Sequence, residues 1–321
     1  CKQSEARRGA CAVYLPVEHA DILEFLDIGT EGNLIQNLQY GVTVTDQWMQ
    51  EMKDGDKSKR KVWAKIIQNR SEFGFPYIMF KDNSNNNSPY KELGMDITAS
   101  NLCSEIQLPT DSYNSFDSLQ AKGLNSEIFR TLKDRSKIAS RKLYAEHGYV
   151  SIRDGYANTT LMAIAPTKSS SFIHGAVSMG IEPIKSNYFI KDLAKSKTVY
   201  KNPLLEAELE KHGLNNDKTW KSILKKDGSV QHLDFPNKEV FKSFVEISPK
   251  EIVLQAAQRQ KYIDQSQSLN LMIDPSVSAK DINKLYMYAW EEGVKTLYYQ
   301  FSKSSAQDFA RNILECSSCE G

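Results

Sequence analysis

The sequence predicts an α/β fold with parallel pairing, of barrel or doubly wound type. Three observations carry that prediction. Stretches with apolar residues at helical spacing alternate with short, uninterrupted apolar runs, the pattern of buried strands joined by helices. Glycines and polar turn residues punctuate the alternation. At 321 residues and 40% hydrophobic content the chain can bury a large core, and neither an internal repeat nor a long linker interrupts it.

The first strand signal is Ala10-Cys11-Ala12-Val13-Tyr14-Leu15. From Ser58 to Arg70, Val62, Trp63, Ile66 and Ile67 fall at helical spacing, and Phe75 to Phe80 follows as a short buried strand. Asp82 to Pro89 is polar and reads as a loop. Ile97 to Leu108 comes next and contains Asn101-Leu102-Cys103-Ser104-Glu105, read as extended. A long helix is predicted from about Ser126 to His147, with Ile128, Phe129, Leu132, Ile138, Leu143 and Tyr144 on its apolar side and Gly148 placed to stop it. Thr160 to Ala165 is the following strand. Ser278-Ala279-Lys280-Asp281 resembles a capping box opening an amphipathic helix through Leu285, Tyr288 and Ala289, which Gly293 ends. Val294 to Tyr299 is then a strand, and the residues from Glu315 onward have the composition of a mobile tail.

Lys+Arg 41 against Asp+Glu 40 leaves a net charge of +1, so no global field draws the chain to DNA or to an acidic membrane. No apolar run approaches the roughly 20 residues of a spanning helix. The first residues also lack the apolar core of a signal peptide, which makes the cytoplasm the expected location. Five cysteines, at Cys1, Cys11, Cys103, Cys316 and Cys319, are too few for a secreted disulfide framework and read as reduced thiols. The histidines are scattered without ligand spacing, and no metal site is predicted. The chain begins with Cys rather than Met, so an upstream portion is expected to have been removed or encoded elsewhere.

Four constellations could carry chemistry. On a strand, Asn101, Cys103 and Glu105 share a face, converging an amide, a thiol and a carboxylate on one small volume. Ala165-Pro166-Thr167-Lys168-Ser169-Ser170-Ser171 reads either as a Ser-rich helix cap without a ligand, the plainer reading, or as an anion site at a helix start with Lys168 as added charge. Tyr298 and Tyr299 read either as one core ring and one interface ring or as a relay of redox-active phenols. Cys316 and Cys319 form a C-x-x-C that favours thiol exchange over half a zinc site, since no second Cys pair lies nearby.

Several ordered motifs together resemble the large, catalytic subunit of class I ribonucleotide reductase, over nearly the whole chain. The stretches that carry the resemblance are Arg7-Arg8-Gly9-Ala10 with Tyr14-Leu15-Pro16, then Ser100 to Glu105, and Ala165 to Ser171 with Gly180-Ile181-Glu182-Pro183. They continue with Gln267-Ser268-Leu269-Asn270-Leu271, Thr296 to Gln300 and the Cys316, Cys319 tail, in wording most like that of bacteria and their large phages. The resemblance implies a partial ten-stranded α/β barrel over 1–307 and a flexible redox tail over 308–321. It implies radical reduction of the ribose 2′-hydroxyl of a ribonucleoside diphosphate. Cys103 matches the thiyl that takes the 3′ hydrogen, Glu105 the carboxylate that handles the 3′-hydroxyl proton, and Asn101 the amide that binds the ribose hydroxyls. Pro166, Thr167, Lys168, Ser169 and Ser170 match the diphosphate cradle, and Tyr298 and Tyr299 the stacked pair that brings the radical from the small subunit. Cys316 and Cys319 match the tail dithiol, while Gln3 and Arg7 fall in what looks like the loop coupling a specificity effector to base choice.

The implied partners are the small radical subunit, an N-terminal large-subunit fragment, and thioredoxin or glutaredoxin. No cofactor is expected in the chain itself: the radical comes from a metal-containing small subunit, and ATP or dNTP effectors bind mostly outside this chain. The chain departs from the family where it passes from Tyr113-Asn114-Ser115-Phe116 to Asp117-Ser118-Leu119, joining motifs that a long stretch normally separates. Neither Cys1 nor Cys11 matches the pair of cysteines that reduces substrate. Two other readings stay open, a non-catalytic remnant that binds the small subunit or a phosphorylated ligand, and a simple thiol-disulfide protein.

Overall fold

The computed structural model describes residues 12–36, 38–109, 125–148, 151–167, 178, 180–193 and 196–301. They fall into two compact units, one formed by residues up to Ala165 together with those from Pro249 onward, the other by Pro166–Ser248.

The first unit opens with strand β1 (Ala12–Pro16), a short helix α1 (Ile22–Phe25) and strand β2 (Gln39–Val44), whose six residues are all buried. Helices α2 (Asp46–Asp54) and α3 (Lys57–Phe73) lead to β3 (Tyr77–Phe80). Thr45 caps α2 by accepting from the Trp48 N–H, Asp56 caps α3 by accepting from Ser58 and Lys59, and Gly74 closes α3 at φ 82°. Strands β1, β2 and β3 pair in parallel, with Tyr14, Gly41 and Tyr77 in register across the sheet. A sheet whose strands are connected through helices is buried on both faces, which is why β3 reads as a continuous apolar run and even the polar Gln39 and Thr43 of β2 are buried.

Asp82 to Pro89, read as a loop from its polarity, instead begins with a helix, α4 (Lys81–Asn86). Its asparagines find partners in other segments: Asn83 Nδ2 donates to the Trp290 and Val294 carbonyls, and Asn85 both donates to the Ile97 carbonyl and accepts from its N–H. Composition alone cannot register that tertiary satisfaction. Strands β4 (Ile97–Ser100) and β5 (Gln107–Pro109) then form an antiparallel hairpin.

Helix α5 (Asn125–His147) ends where predicted, with Gly148 at φ 61° donating to the Tyr144 carbonyl. Its expected apolar side is only partly covered, since Phe129 is buried whereas Leu132, Ile138, Leu143 and Tyr144 are exposed. Thr160 to Ala165 is not a full strand but runs beside residues 264–268 through a parallel bridge, Ile164 with Gln267. The Asp264 carboxylate takes the N–H groups of Leu161 and Met162, so a side chain supplies the rungs that a longer ladder would need.

The second unit holds the hairpin β6 (Tyr188–Leu193) and β7 (Ser196–Lys201) and helices α6 (Pro203–Lys211) and α7 (Asp217–Lys225). Leu205, Leu209, Trp220, Ile223, Val230 and Phe235 form its own core. Asn202 and Asn216 cap its two helices.

Back in the first unit, α8 (Pro249–Gln260), β8 (Leu271–Met272) and α9 (Ala279–Glu291) follow, the last capped by Ser278 as expected. The predicted strand Val294 to Tyr299 is split into β9 (Thr296–Leu297) and β10 (Gln300–Phe301). β9 pairs with β3 antiparallel, against the parallel expectation, and β10 pairs with β8 in parallel. Tyr298 and Tyr299 sit where the chain changes partner. The mixed α/β class therefore holds, while among the described residues the strands do not close into a barrel. None of the described helices is long and apolar enough to cross a membrane.

Candidate active site

Asn101, Cys103 and Glu105 do come together, but not on a strand face as the alternation predicts. They lie on the tip of the β4–β5 hairpin, pinched at its base by the Asn101 N–H to the Ile106 carbonyl at 3.0 Å and the Ile106 N–H to Asn101 Oδ1 at 3.1 Å. Inside the tip, the Ser104 N–H returns to the Asn101 carbonyl at 3.1 Å and Ser104 takes φ 65°, a left-handed conformation that costs a non-glycine residue energy. Contacts from distant segments hold it there. Ser104, fully buried, has its hydroxyl 3.1 Å from the Tyr14 phenol and its carbonyl 3.0 Å from Thr296 Oγ1. The Glu105 carbonyl accepts the Ser266 N–H at 2.8 Å.

Ser268 joins the two reactive residues. Its hydroxyl lies 2.6 Å from the Cys103 carbonyl and 3.1 Å from Glu105 Oε2. The Ser268 hydroxyl is thus a donor shared between the Cys103 carbonyl and the Glu105 carboxylate. Burial raises the Glu105 carboxyl above the ordinary glutamate value, against the pull of hydrogen bonds from Asn101 and Ser268. Cys103, outside any disulfide, is at intermediate exposure, while Glu105 is only 6% exposed. A buried carboxyl with a raised pKa beside the Cys103 thiol suits proton exchange with a bound hydroxyl.

Tyr298 and Tyr299 are both buried, and their ring centroids are 4.3 Å apart with planes at 60°. The expected division into one core ring and one interface ring fails because these residues lie between strands, where alternation no longer applies. Tyr77 from β3 touches both, at 4.7 Å from Tyr298 and 5.3 Å from Tyr299. Burial, reinforced by Tyr299, holds the Tyr77 phenol well above the ordinary tyrosine value. Tyr14, in register with Tyr77 across Gly41, continues the row of phenols to Ser104, and burial pushes its pKa up to about 12. The fully buried Arg70 fixes the pair from behind, its Nη1 donating to the Tyr298 carbonyl at 2.9 Å and its Nε to the Tyr286 phenol at 2.7 Å.

Pro166 and Thr167 belong to the second unit, while Lys168, Ser169 and Ser170 lie outside the described residues, as do Gln3, Arg7, Cys316, Cys319, Cys1 and Cys11. In the adjoining Gly180–Pro183 motif, a Cβ on Gly180 would stand 2.8 Å from Glu182 Oε2 and would shift that carboxylate. Ser268, Thr296 and Tyr14 lie within the motifs read from the sequence, where they carry no role of their own, and Tyr77 and Arg70 show no local signal of theirs. A serine two positions before Asn270 carries no local signal of its link to Glu105. Among the described residues no three His, Cys, Asp or Glu side chains are grouped to hold a metal ion.

Comparison with known proteins agrees with this geometry. The family described as the ribonucleotide reductase barrel domain matches residues 1–59, 56–115 and 151–300. The chain is 27% identical to the ribonucleoside-diphosphate reductase large subunit of Invertebrate iridescent virus 3, over 93% of the chain and 72% of that protein. It is 36% identical to the corresponding subunit of Invertebrate iridescent virus 6 over 60% of the chain and 21% of the relative. Among solved structures, the Actinobacillus ureae class Id ribonucleotide reductase alpha subunit superposes with a TM-score of 0.83 at 40% identity, covering 92% of this chain and 71% of that one. The family match spans most of the chain and includes both the Cys103 hairpin and the tyrosine pair, so this chain belongs to the ribonucleotide reductase barrel-domain family.

Proposed function

We propose that the chain is the catalytic large-subunit portion of a ribonucleoside-diphosphate reductase, an oxidoreductase of deoxyribonucleotide synthesis. The observation that carries this reading is the hairpin tip, where Ser268 joins the Cys103 carbonyl to Glu105, Asn101 hydrogen-bonds Glu105, and Thr296, just before the buried tyrosine pair, holds Ser104. A radical on the small subunit is passed through Tyr299 and Tyr298 to Cys103. The Cys103 thiyl takes the 3′ hydrogen of the ribose, Glu105 takes the 3′-hydroxyl proton, and Asn101 binds the hydroxyls. The 2′-hydroxyl leaves as water, a dithiol is oxidised to a disulfide as it supplies two electrons, and Cys103 returns its hydrogen to C3′. Pro166 to Ser170 cradle the diphosphate, Cys316 and Cys319 on 308–321 bring in reducing equivalents from thioredoxin or glutaredoxin, and Gln3 and Arg7 couple to a nucleotide effector. The metal belongs to the small subunit, and the setting is the cytoplasm.

We also propose that an internal stretch is missing near 116–117 within the 1–307 catalytic portion. Support comes from the length of the alignment to the iridescent virus 3 subunit, 456 positions against a chain of 321 residues, and from the gap in the family match between 115 and 151. Neither Cys1 nor Cys11 matches the substrate-reducing pair, so hydrogen abstraction is a fairer test than full turnover. With the small subunit, an N-terminal fragment and a 3′-tritiated ribonucleoside diphosphate, tritium release to water should be measurable and should disappear in Cys103→Ser and Tyr299→Phe. Release that persists in Cys103→Ser refutes the proposal.

A further inference from the structure

Gln39 stands at the start of β2, buried to 8% exposure, and its Nε2 donates to the Tyr299 phenol oxygen at 3.2 Å. Its Oε1 is buried and has no hydrogen-bond partner among the described residues. An unpaired buried amide oxygen is costly. Rings crowd the rest of Tyr299: Phe75 at 5.1 Å, Tyr77 at 5.3 Å and Phe301 at 5.7 Å. An apolar side chain would fit that company better unless the amide acts on the phenol.

From this geometry we infer that Gln39 is a positioning residue that makes Tyr299 easier to oxidise. The inference rests on the proposed radical route. In that route the Tyr299 O–H bond breaks, its proton and one electron pass to the small subunit's oxidised radical, and that radical is reduced while Tyr299 becomes a phenoxyl. A phenol oxygen both donates and accepts, whereas a phenoxyl or phenolate oxygen only accepts. The Gln39 N–H therefore favours the forms that have lost the proton, because a donor bonds more strongly to the more negative oxygen. The second amide atom extends the match, for a half-turn of the carboxamide presents Oε1 as an acceptor to the restored phenol. The same contact holds the ring against Phe75 and Tyr77 while its charge changes.

The test places a fluorinated tyrosine at position 299 and follows its ionisation by fluorine NMR in the full chain, with Gln39 intact and in Gln39→Met. Loss of the donor should raise the phenol pKa by about one unit. In the complex with the small subunit, Gln39→Met should slow tritium release about tenfold with KM for the nucleotide unchanged, since in this route Gln39 acts on Tyr299 rather than on the nucleotide. Should Gln39→Met fail to fold, Gln39→Glu preserves the shape and must shift the pKa in the same direction. An unchanged pKa overturns the inference, and so does a shifted pKa with unchanged tritium release. The titration needs neither partner nor substrate, so it can fail while Cys103-dependent release stands, which separates this inference from the proposed function.

Discussion

Glu105 is the residue whose environment works against its own charge. Burial raises its pKa above the ordinary 4.5, so the native chain holds this proton more tightly than the unfolded one. Its contribution to stability is therefore present below 4.5 and is lost as pH rises through the raised folded value. Glu105→Gln keeps the shape and the contact with Ser268 but removes the titration. The variant should be more stable than the parent near neutral pH, with the difference shrinking as pH falls below the ordinary glutamate value, and it should release no tritium. Urea unfolding at the two pH values measures this, and a difference independent of pH would show that Glu105 carries no burial penalty. Stability given up for a reactive group is the usual mark of a working site.

At the scale of elements, the row Tyr14, Gly41 and Tyr77 depends on its middle member. A Cβ on Gly41 would overlap the Tyr14 ring, so Gly41→Ala must push Tyr14 away from Ser104. Overpacking of this kind costs about 1–3 kcal/mol. In a Tyr14→Ala background the same substitution should cost under about 1 kcal/mol, because the ring it strikes is gone. Equal costs in both backgrounds would place the strain elsewhere. Elements governed by local rules were legible beforehand: α5 stops at Gly148, α9 starts at Ser278, and β3 is a buried apolar run. What failed is what distant partners decide. The asparagines of α4 are satisfied by α9 and β4, and the split of the last strand follows from β9 joining β3 while β10 joins β8. The Cys103 group was legible in residue type and spacing but not in shape, because Ser268, Thr296 and Tyr14 fold it into a hairpin tip.

Across the molecule, the candidate site is assembled from segments far apart in sequence, and Lys295 is one of the points where they are tied. It is fully buried, and its Nζ donates to the Asn87 carbonyl at 3.1 Å and the Asp264 carbonyl at 2.7 Å. That links the end of α4 and the segment leading to Ser268 with Thr296, the next residue, which holds the Cys103 hairpin. Burial drives its pKa down from 10.5 to about 7, with the Asp264 charge opposing the shift and Lys133 adding to it. Between those two values the unfolded chain carries a proton that the native chain does not, so stability from this group rises with pH across the window. The slope approaches ~1.4 kcal/mol per pH unit for a single proton. Lys295→Met should lower stability by leaving two buried carbonyls unpaired and should flatten that slope. Unfolding of parent and variant from pH 7 to 10.5 reads both effects, the window being the one set by the shifted and ordinary lysine values. Parallel profiles would mean that Lys295 keeps its proton in the fold, and the three segments would then be joined by a charged clamp rather than a neutral one.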